Sequence, residues 1–253
     1  MTLALTRAVP SSITACELTH IAREPIDFAR ASRQHDRYEA ALAARGCTIE
    51  RLAPADDLPD SAFVEDTMVV CDGVAVLARP GAEERRGELA GAEEAARAIG
   101  LDIARIEAPG TLDGGDVLQV GTTVYVGRGG RTNGEGIRQL RRHLAPRGRT
   151  VVPVPLRAVL HLKSAVTALP DGTLVGADPA LIDAAALPTL RAVPEEGGSH
   201  VVLLGGGTVL MAASAPRSAE LFDDLGFDVV VVDVGEFEKM EGCVTCLSVL
   251  AER

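Results

Sequence analysis

Near the C-terminus, the segment EGCVTCLSVL (residues 241–250) places Cys243 and Cys246 in the spacing C-x-x-C. Such a pair can bind a metal, form a redox couple, fill a core or supply a nucleophile. A zinc site would need further ligands, yet the other three cysteines are scattered and no H-x-x-x-H pattern occurs. A redox pair is expected at a strand-to-helix turn, whereas this pair runs into the strand-like segment TCLSVL. Core sulfur and a nucleophile both stay open.

Histidines and paired carboxylates elsewhere in the chain could assist a thiol. His161 lies in the apolar segment VLHLKSAV and His200 in GGSHVVLL, and neither local sequence separates a catalytic base from a core histidine. The segment TLDGGDVL places Asp113 and Asp116 around two glycines. That pattern fits an ordinary turn, and it also fits a carboxylate close to a bound cation, with glycines that let the backbone approach.

Further charged residues suggest a site for a small zwitterion. Glu65 and Asp66 lie inside the apolar run SAFVEDTMVV, where two carboxylates are costly to bury without a positive partner. With Asp60 nearby, they predict a pocket for a cation. The turns RPGAEERR and GRGGRTN carry Arg85 and Arg131, which could cap helices or hold a substrate carboxylate by bidentate hydrogen bonds.

The composition narrows the class of partner. The net charge of −11 argues against nucleic acid, because phosphate binding needs a basic face, and an acidic protein suits a cationic small molecule. Aromatic residues make up only 3% of the chain, so a base-stacking platform is not expected. No apolar run is long enough to cross a bilayer, and the N-terminal segment MTLALTRAVP lacks the basic region and apolar stretch of a signal peptide, so we expect none. We expect a cytoplasmic protein.

One structural unit recurs along the chain: strand, glycine turn, strand, helix, strand. It occurs with turns near Asp72, Val120, Asp171 and Gly205. A fifth unit can be assembled from the two ends, with CVTCLSVL as its first strand and LALTRAVP, the helix around DFARASRQHDRYEAALAARG and TIERLAPA as the rest. Repetition of this kind indicates a ring that closes through both termini and leaves no exposed sheet edge. We predict a single domain over residues 1–253.

The ring predicts where chemistry would occur. Equivalent strand starts meet near the central axis, which would bring together a thiol, an imidazole and carboxylates from units far apart in sequence. That is the requirement for nucleophilic catalysis. The residues at these starts are Glu65, Asp66, Asp113, Asp116, His161, Ser164, Ser199, His200, Cys243 and Cys246.

Several of these segments together resemble the signature segments of the dimethylarginine dimethylaminohydrolases, or dimethylargininases. The resemblance runs in family order from AVPSSI to the last strand. It implies an α/β fold of the guanidine-modifying superfamily, a five-bladed propeller of ββαβ units around a central active site. The segments are LPDSAFVEDTMVV, RPGAEERRGE, TLDGGDVLQVG, VGRGGRTN, LHLKSAV and VTCLSVL.

The resemblance also assigns roles that the local sequence left open. It implies Cys246 as the nucleophile, His161 as the general acid and base, and Asp113 as the carboxylate that orients this histidine. It further implies a set of substrate-binding residues: acids around the guanidinium and amino groups, arginines on the α-carboxylate, a residue of a closing loop and a backbone carbonyl. These are Asp60, Glu65, Asp66, Arg85, Arg131, Leu18 and Met240.

The implied reaction is hydrolysis of asymmetric dimethylarginine or monomethylarginine to L-citrulline and an amine through an S-alkylthiouronium on Cys246, with no metal or organic cofactor. Arginine deiminase and amidinotransferase activity are alternatives on the same scaffold, and a non-catalytic propeller is a third. The short chain, without a helical insertion between blades, favours dimethylargininase. The thiol, imidazole and carboxylate argue against a binding propeller. A homo-oligomer is possible.

Overall fold

The computed structural model describes residues 2–252 and contains fifteen strands in five three-stranded sheets. The strands are β1 Thr2–Arg7, β2 Thr48–Leu52, β3 Met68–Cys71, β4 Val74–Leu77, β5 Asp102–Arg105, β6 Val117–Val120, β7 Thr123–Arg128, β8 Thr150–Pro155, β9 Thr167–Ala168, β10 Leu174–Gly176, β11 Leu190–Ala192, β12 Val201–Leu203, β13 Thr208–Ala212, β14 Asp228–Val232 and β15 Val249–Glu252.

Every sheet has the same topology. The first strand pairs antiparallel with the second, which pairs parallel with the third, in the orders β15-β1-β2, β3-β4-β5, β6-β7-β8, β9-β10-β11 and β12-β13-β14. In the sheet built from both ends of the chain, Leu3 is opposite Ala251 on one side and Thr48 on the other. The sheets contact one another in sequence, and the last contacts the first. This confirms the predicted five-bladed α/β propeller.

Helices connect the second and third strands in four of the five units. They are α1 Phe28–Ala44, α2 Leu89–Ala98, α3 Gly134–Leu144 and α4 Pro216–Asp224, and a short α5 Gly235–Glu238 follows β14. Each long connection then turns through a glycine with positive φ, where a side chain would be strained. These glycines are Gly46, Gly100, Gly148 and Gly226.

The unit between β10 and β11 differs from the prediction of a helix. It contains two 3₁₀ turns, Pro179–Leu181 and Ala184–Ala186, in place of an α-helix. The side chains of Asp178 and Asp183 accept hydrogen bonds from the amides two residues later, so each caps a separate turn. The segment is too short to nucleate a longer helix across both caps.

A 3₁₀ turn precedes the first strand of every sheet, so these strands are shorter than the sequence indicated. The turns are Val64–Thr67, Gly114–Asp116, Leu162–Ser164, Glu196–Ser199 and Val244–Leu247. Cys246 therefore lies in a turn, and the expectation that it lies inside a strand is wrong. Polar side chains of these turns bond to the backbone of the neighbouring turn: the Asp66 carboxylate accepts from the Gly115 amide, and the Asp116 carboxylate accepts from the Leu162 amide.

The hydrophobic core fixes the thiols relative to the rest of the ring. Cys243 and Cys246 belong to a buried cluster that also contains Tyr38 of α1 and Phe237 of α5. The Tyr38 hydroxyl donates to the Val244 carbonyl at 2.9 Å, which ties α1 to the C-terminal turn. Among residues 2–252, no helix is both long enough and apolar enough to span a bilayer.

Candidate active site

The five 3₁₀ turns share one hydrogen bond, in which the amide of the fourth residue donates to the carbonyl of the first. First or fourth residues of three turns, among them Asp66, His161 and Cys246, line one cavity. The first and fourth residues are Phe63 and Asp66, Asp113 and Asp116, His161 and Ser164, Gly197 and His200, and Cys243 and Cys246. The third residues include Glu65, Lys163 and Thr245, which line a separate cavity of about 200 Å³.

A narrow cavity collects most of the residues that the sequence predicted for the site. Its wall contains seven of them: Asp60, Asp66, Arg85, Arg131, His161, Met240 and Cys246. Asp113 lies behind His161 and is fully buried. Glu65 and Leu18 are outside the wall: Glu65 faces the second cavity, and Leu18 packs against the apolar cluster around Tyr38. His200 lines a third cavity and not this one.

His161 is held between carboxylates. Its Nε2 lies 3.1 Å from Oδ2 of Asp113, and its Nδ1 lies 3.8 Å from Oδ1 of Asp66. Asp113 is itself fixed, because its Oδ1 accepts from the Gly81 amide at 2.9 Å. Burial disfavours the charged imidazole, but the carboxylates of Asp66, Asp113 and Asp116 outweigh burial and raise the pKa of the ring to about 9. The imidazole is therefore a cation at neutral pH.

Arg85 is buried in an ion-pair network and holds Asp66. Its Nη1 donates to Asp66 Oδ2 at 2.7 Å, while Nε and Nη2 donate to both oxygens of Glu88. Burial alone would raise the pKa of Asp66, but the charges of His161 and Arg85 hold this pKa well below its usual range. Asp66 therefore stays ionised inside the cavity wall.

Arg131 lies on the cavity wall in a different environment. Its Nη2 donates to Oε2 of Glu17 at 3.0 Å, and its Nη1 is buried without a hydrogen-bond partner. The guanidinium therefore retains an unused donor on the cavity side of the fold. Such a donor fits a carboxylate ligand, because arginine binds carboxylates through two parallel hydrogen bonds.

Glu65 lies between the thiols and the second cavity. Its Oε1 accepts from Lys163 Nζ at 2.5 Å, and its Oε2 is buried without a partner. Burial raises the pKa of Glu65 to about 7, although the Lys163 ammonium opposes the rise. An unsatisfied buried acceptor is costly, and a cationic N–H donor would satisfy it.

The two thiols touch. The Sγ atoms of Cys243 and Cys246 are 3.3 Å apart, and both side chains are buried. The hydrogen bond with Cys243, burial and the carboxylates of Glu65 and Asp66 raise the pKa of Cys246 well above its usual range. A bound cation would reverse the effect of these carboxylates and favour the thiolate.

Gly115 allows the histidine and carboxylate to approach each other. A Cβ atom at this position would lie 2.6 Å from His161 Nδ1 and 2.7 Å from Asp66 Oδ1. Both distances are too short for real contacts, so any larger residue would displace one of the two groups. The glycine pair in TLDGGDVL is therefore needed for close approach, as the sequence suggested.

Sequence reasoning missed Glu17 and Glu241. Glu17 lines the cavity beside Leu18, and its amide donates to Asp60 Oδ2 at 3.1 Å. Glu241 accepts from the amides of Thr19 and His20 at 2.6 and 2.7 Å and so holds the loop over the site. The positive φ of Glu241, 57°, is an unusual backbone conformation for a residue other than glycine. No sequence motif predicts it, so Glu241 could not be found from the sequence.

Three side chains have the spacing of a cation site. Ligand atoms of Asp66, Asp113 and His161 lie within 4.8 Å of one another. The donor set does not fit a resident metal well, because its atoms already have partners: Asp66 accepts from Arg85 and Gly115, and Asp113 accepts from Gly81 and lies 3.1 Å from His161 Nε2. The cluster is instead a protonated histidine, His161, held by the carboxylates of Asp66 and Asp113.

The comparisons with known proteins agree with one another. No protein-family model matches the chain. The N(G),N(G)-dimethylarginine dimethylaminohydrolase of Streptomyces coelicolor is 57% identical over 232 residues, which cover 92% of this chain and 90% of that protein. A cysteine-to-serine variant of the Pseudomonas aeruginosa enzyme, complexed with citrulline, superposes with a TM-score of 0.91 at 34% identity over 98% of both chains.

A further solved structure is similar over the whole chain. It is a dimethylarginine dimethylaminohydrolase with a histidine-to-glycine substitution, in an adduct with S-methyl-L-thiocitrulline. It superposes with a TM-score of 0.90 at 33% identity and covers 99% of this chain and 100% of its own. The chain belongs to the dimethylarginine dimethylaminohydrolase family.

Proposed function

We propose that the protein hydrolyses Nω-methylated arginines to L-citrulline and dimethylamine or methylamine through a covalent intermediate on Cys246. The observation that carries this proposal is a thiol and an imidazole on the wall of one buried cavity, with the imidazole held by Asp113 at 3.1 Å. Membership of the family supports the same reaction. The substrate is a small cation, in keeping with the ionised Asp66 on the cavity wall.

The cavity wall suggests how the substrate would lie. The guanidinium would be held by Asp66 through charge-assisted hydrogen bonds, and Glu65 would join it only after its side chain turned from the second cavity toward Cys246. The α-carboxylate would reach Arg131, and the α-amino group would face Asp60 and the Met240 carbonyl. Arg85 is also on the wall, but its donors are paired with Asp66 and Glu88, so it would act by holding Asp66. The loop that carries Leu18 would close over the bound amino acid.

The first step needs a thiolate and an acid. A cation bound beside Cys246 lowers the pKa of its thiol, so the thiol releases its proton to water, and the thiolate attacks the guanidinium carbon to form a C–S bond. His161 enters this step as an imidazolium, because its pKa is about 9. It therefore donates its proton to the departing amine, and the C–N bond breaks to leave an S-alkylthiouronium on Cys246.

The second step reverses the role of His161. The imidazole, now neutral, takes a proton from water, and the resulting hydroxide attacks the thiouronium carbon. The C–S bond breaks, Cys246 leaves as a thiolate and L-citrulline is released. Asp113 and Asp66 hold the ring in one orientation and stabilise the imidazolium that is regenerated. These steps need no metal or organic cofactor.

The test is release of citrulline and amine from asymmetric dimethylarginine, monomethylarginine and arginine, measured side by side. We expect turnover of the methylated substrates and none with Cys246→Ser. Preference for arginine would make the protein a deiminase on this scaffold. Transfer of the amidino group to an added amine, with no citrulline formed, would make it an amidinotransferase.

We also propose that the chain works as a single domain over residues 1–253 in the cytoplasm. Support comes from a cavity whose wall draws on several blades and from five cysteines that are all free, including two in contact. A homo-oligomer stays a prediction, and light scattering at several protein concentrations would test it.

A further inference from the structure

Cys243 contacts the proposed nucleophile, but the proposed reaction does not use it. Its Sγ lies 3.3 Å from the Sγ of Cys246 and 3.2 Å from Oγ1 of Thr245. Cys246 lines the active-site cavity and Cys243 does not. The second sulfur is therefore placed to react with the first and not with the substrate.

The backbone keeps the two sulfurs together. Cys243 precedes the 3₁₀ turn Val244–Leu247, and the Cys246 amide donates to the Cys243 carbonyl at 3.1 Å. Tyr38 fixes the same turn through the Val244 carbonyl at 2.9 Å and the Ser248 hydroxyl at 2.7 Å. A disulfide requires an S–S distance of about 2.05 Å, so the sulfurs must close by roughly 1.2 Å, which side-chain rotation can supply.

We propose that Cys243 is a resolving cysteine, which captures an oxidised Cys246 as a Cys243–Cys246 disulfide and switches the active site off reversibly. The inference rests on the proposed function for its consequence on activity. The disulfide itself rests only on the contact between the two sulfurs. With this disulfide, the two cysteines of the C-x-x-C segment have a redox role, and they lie at a 3₁₀ turn.

The chemistry balances with a peroxide as the oxidant. The Cys246 thiolate attacks the O–O bond of hydrogen peroxide, so an S–O bond forms, the O–O bond breaks and hydroxide leaves. The Cys246 sulfur loses two electrons and the peroxide gains them. The Cys243 thiolate then attacks the Cys246 sulfur, the S–S bond forms, the S–O bond breaks and a second hydroxide leaves. A dithiol restores both thiols by exchange and is itself oxidised.

Without a resolving partner, a sulfenic acid in this site would react further with peroxide. The sulfinic acid that forms is not reduced by ordinary thiols. The other three cysteines lie in different parts of the chain, and none is within hydrogen-bond distance of Cys246 among the described residues. Cys243 is therefore the residue that would decide between reversible and irreversible inactivation.

The experiment compares the parent, Cys243→Ser and Cys243→Ala after treatment with hydrogen peroxide and then dithiothreitol. Cys47→Ser is the matched control, because Cys47 is buried in the same cluster but has no thiol contact. Digestion after lysine and arginine places both reactive cysteines on one peptide, residues 240–253. The readouts are the mass of that peptide, the thiol count and the recovery of citrulline formation.

We expect the oxidised parent and Cys47→Ser to lose two hydrogens on peptide 240–253 and to regain thiols and activity with dithiothreitol. The Cys243 variants should gain two oxygens that fragmentation places on Cys246, apart from any oxygen on Met240 of the same peptide, and should not recover. A parent peptide that gains oxygen on Cys246 without losing two hydrogens would overturn the proposal, and so would equal recovery in the variants. If the parent turned over no methylarginine, the peptide mass would still decide the disulfide, and only the proposed function would fail.

Discussion

Arg131 donates a hydrogen bond from Nη2 to Oε2 of Glu17 at 3.0 Å, so a carboxylate of the protein itself contacts the arginine that we propose for the substrate carboxylate. Glu17 is tethered here, because its own amide donates to Asp60 Oδ2. Two carboxylates compete for one guanidinium. Binding of an α-amino acid must therefore displace Glu17 or share Arg131 with it.

This relationship predicts that Glu17→Gln lowers the KM for methylarginine. Partly exposed ion pairs contribute about 0.2–1 kcal/mol, so we expect a decrease of about 1.4-fold to fivefold, with kcat little changed. Steady-state kinetics with asymmetric dimethylarginine measures it, and Glu24→Gln on the same loop is the control. In an Arg131→Ala background, which should itself raise the KM, Glu17→Gln should have no further effect. A KM that rises in Glu17→Gln would instead make Glu17 a substrate ligand.

Arg85 and its neighbour Arg86 should differ in how much their removal lowers the free energy of unfolding. Arg85→Ala leaves the buried carboxylates of Asp66 and Glu88 without their partner, so we expect a loss of about 3–5 kcal/mol in the free energy of unfolding. Arg86→Ala removes a surface pair with Glu83 and a hydrogen bond to the Pro80 carbonyl, leaves no buried charge unpaired, and should cost about 1 kcal/mol. Urea unfolding measures both. Equal stability of the two variants would show that the Arg85 network contributes no more than a surface pair.

The raised pKa of His161 predicts the alkaline limb of the activity profile. The imidazolium donates the proton to the leaving amine, so kcat/KM should fall as pH rises through about 9. Asp113→Asn removes one carboxylate that raises this pKa and should move the limb to lower pH. Asp224→Asn, a change on the exposed face of α4, should leave it in place. If the alkaline limb did not move in Asp113→Asn, ionisation of His161 would not be its cause.

The same shift affects folding stability. A pKa that is raised in the folded state means that the folded protein binds the proton more tightly than the unfolded chain does. The contribution of His161 to the free energy of unfolding is fully present below a pH of about 6.5, which is the pKa of a histidine in the unfolded chain. It is lost as pH rises through about 9. The difference in Tm between the parent and His161→Gln should therefore shrink between these pH values. A constant difference across this window would contradict the raised pKa.

Gly115→Ala tests the close approach of His161 and Asp66. The added methyl would lie 2.6 Å from His161 Nδ1, so the ring or the carboxylate must move. A displacement of 1 Å in a catalytic group can cost about 100-fold in rate, and we expect kcat to fall by that order with Tm less affected. Gly134→Ala, where an added methyl meets nothing within 4 Å, is the control. A fully active Gly115→Ala would show that the approach is not needed.

The ring could be read from the sequence because each blade repeats the same order of strands and turns, and because segments from both chain ends complete the fifth. The helix expected between β10 and β11 could not be corrected from the pattern, since the aspartates that divide it into two turns also suit a helix start. The 3₁₀ turns were missed because Val64, Leu162 and Val244 continue the apolar pattern of the strands behind them.

The site was predictable as a set but not in its details. Strand starts had to converge, which brought Cys246, His161 and Asp66 to one cavity. A strand would have alternated its side chains between two faces, whereas a 3₁₀ turn places the first and fourth residues together and the third apart. That phase puts Cys243 beside Cys246, whereas a strand would have placed them on opposite faces. Glu17 depends on loop geometry, which a single sequence does not encode in a short motif.

The central claim is that Cys246 carries the covalent intermediate, and a rapid acid quench during turnover of asymmetric dimethylarginine tests it most directly. Peptide 240–253 should gain the mass of the substrate less dimethylamine, with fragmentation placing the adduct on Cys246. The adduct should persist in Cys243→Ser and be absent in Cys246→Ser. An adduct on Cys243, or citrulline formed by Cys246→Ser, would contradict the account.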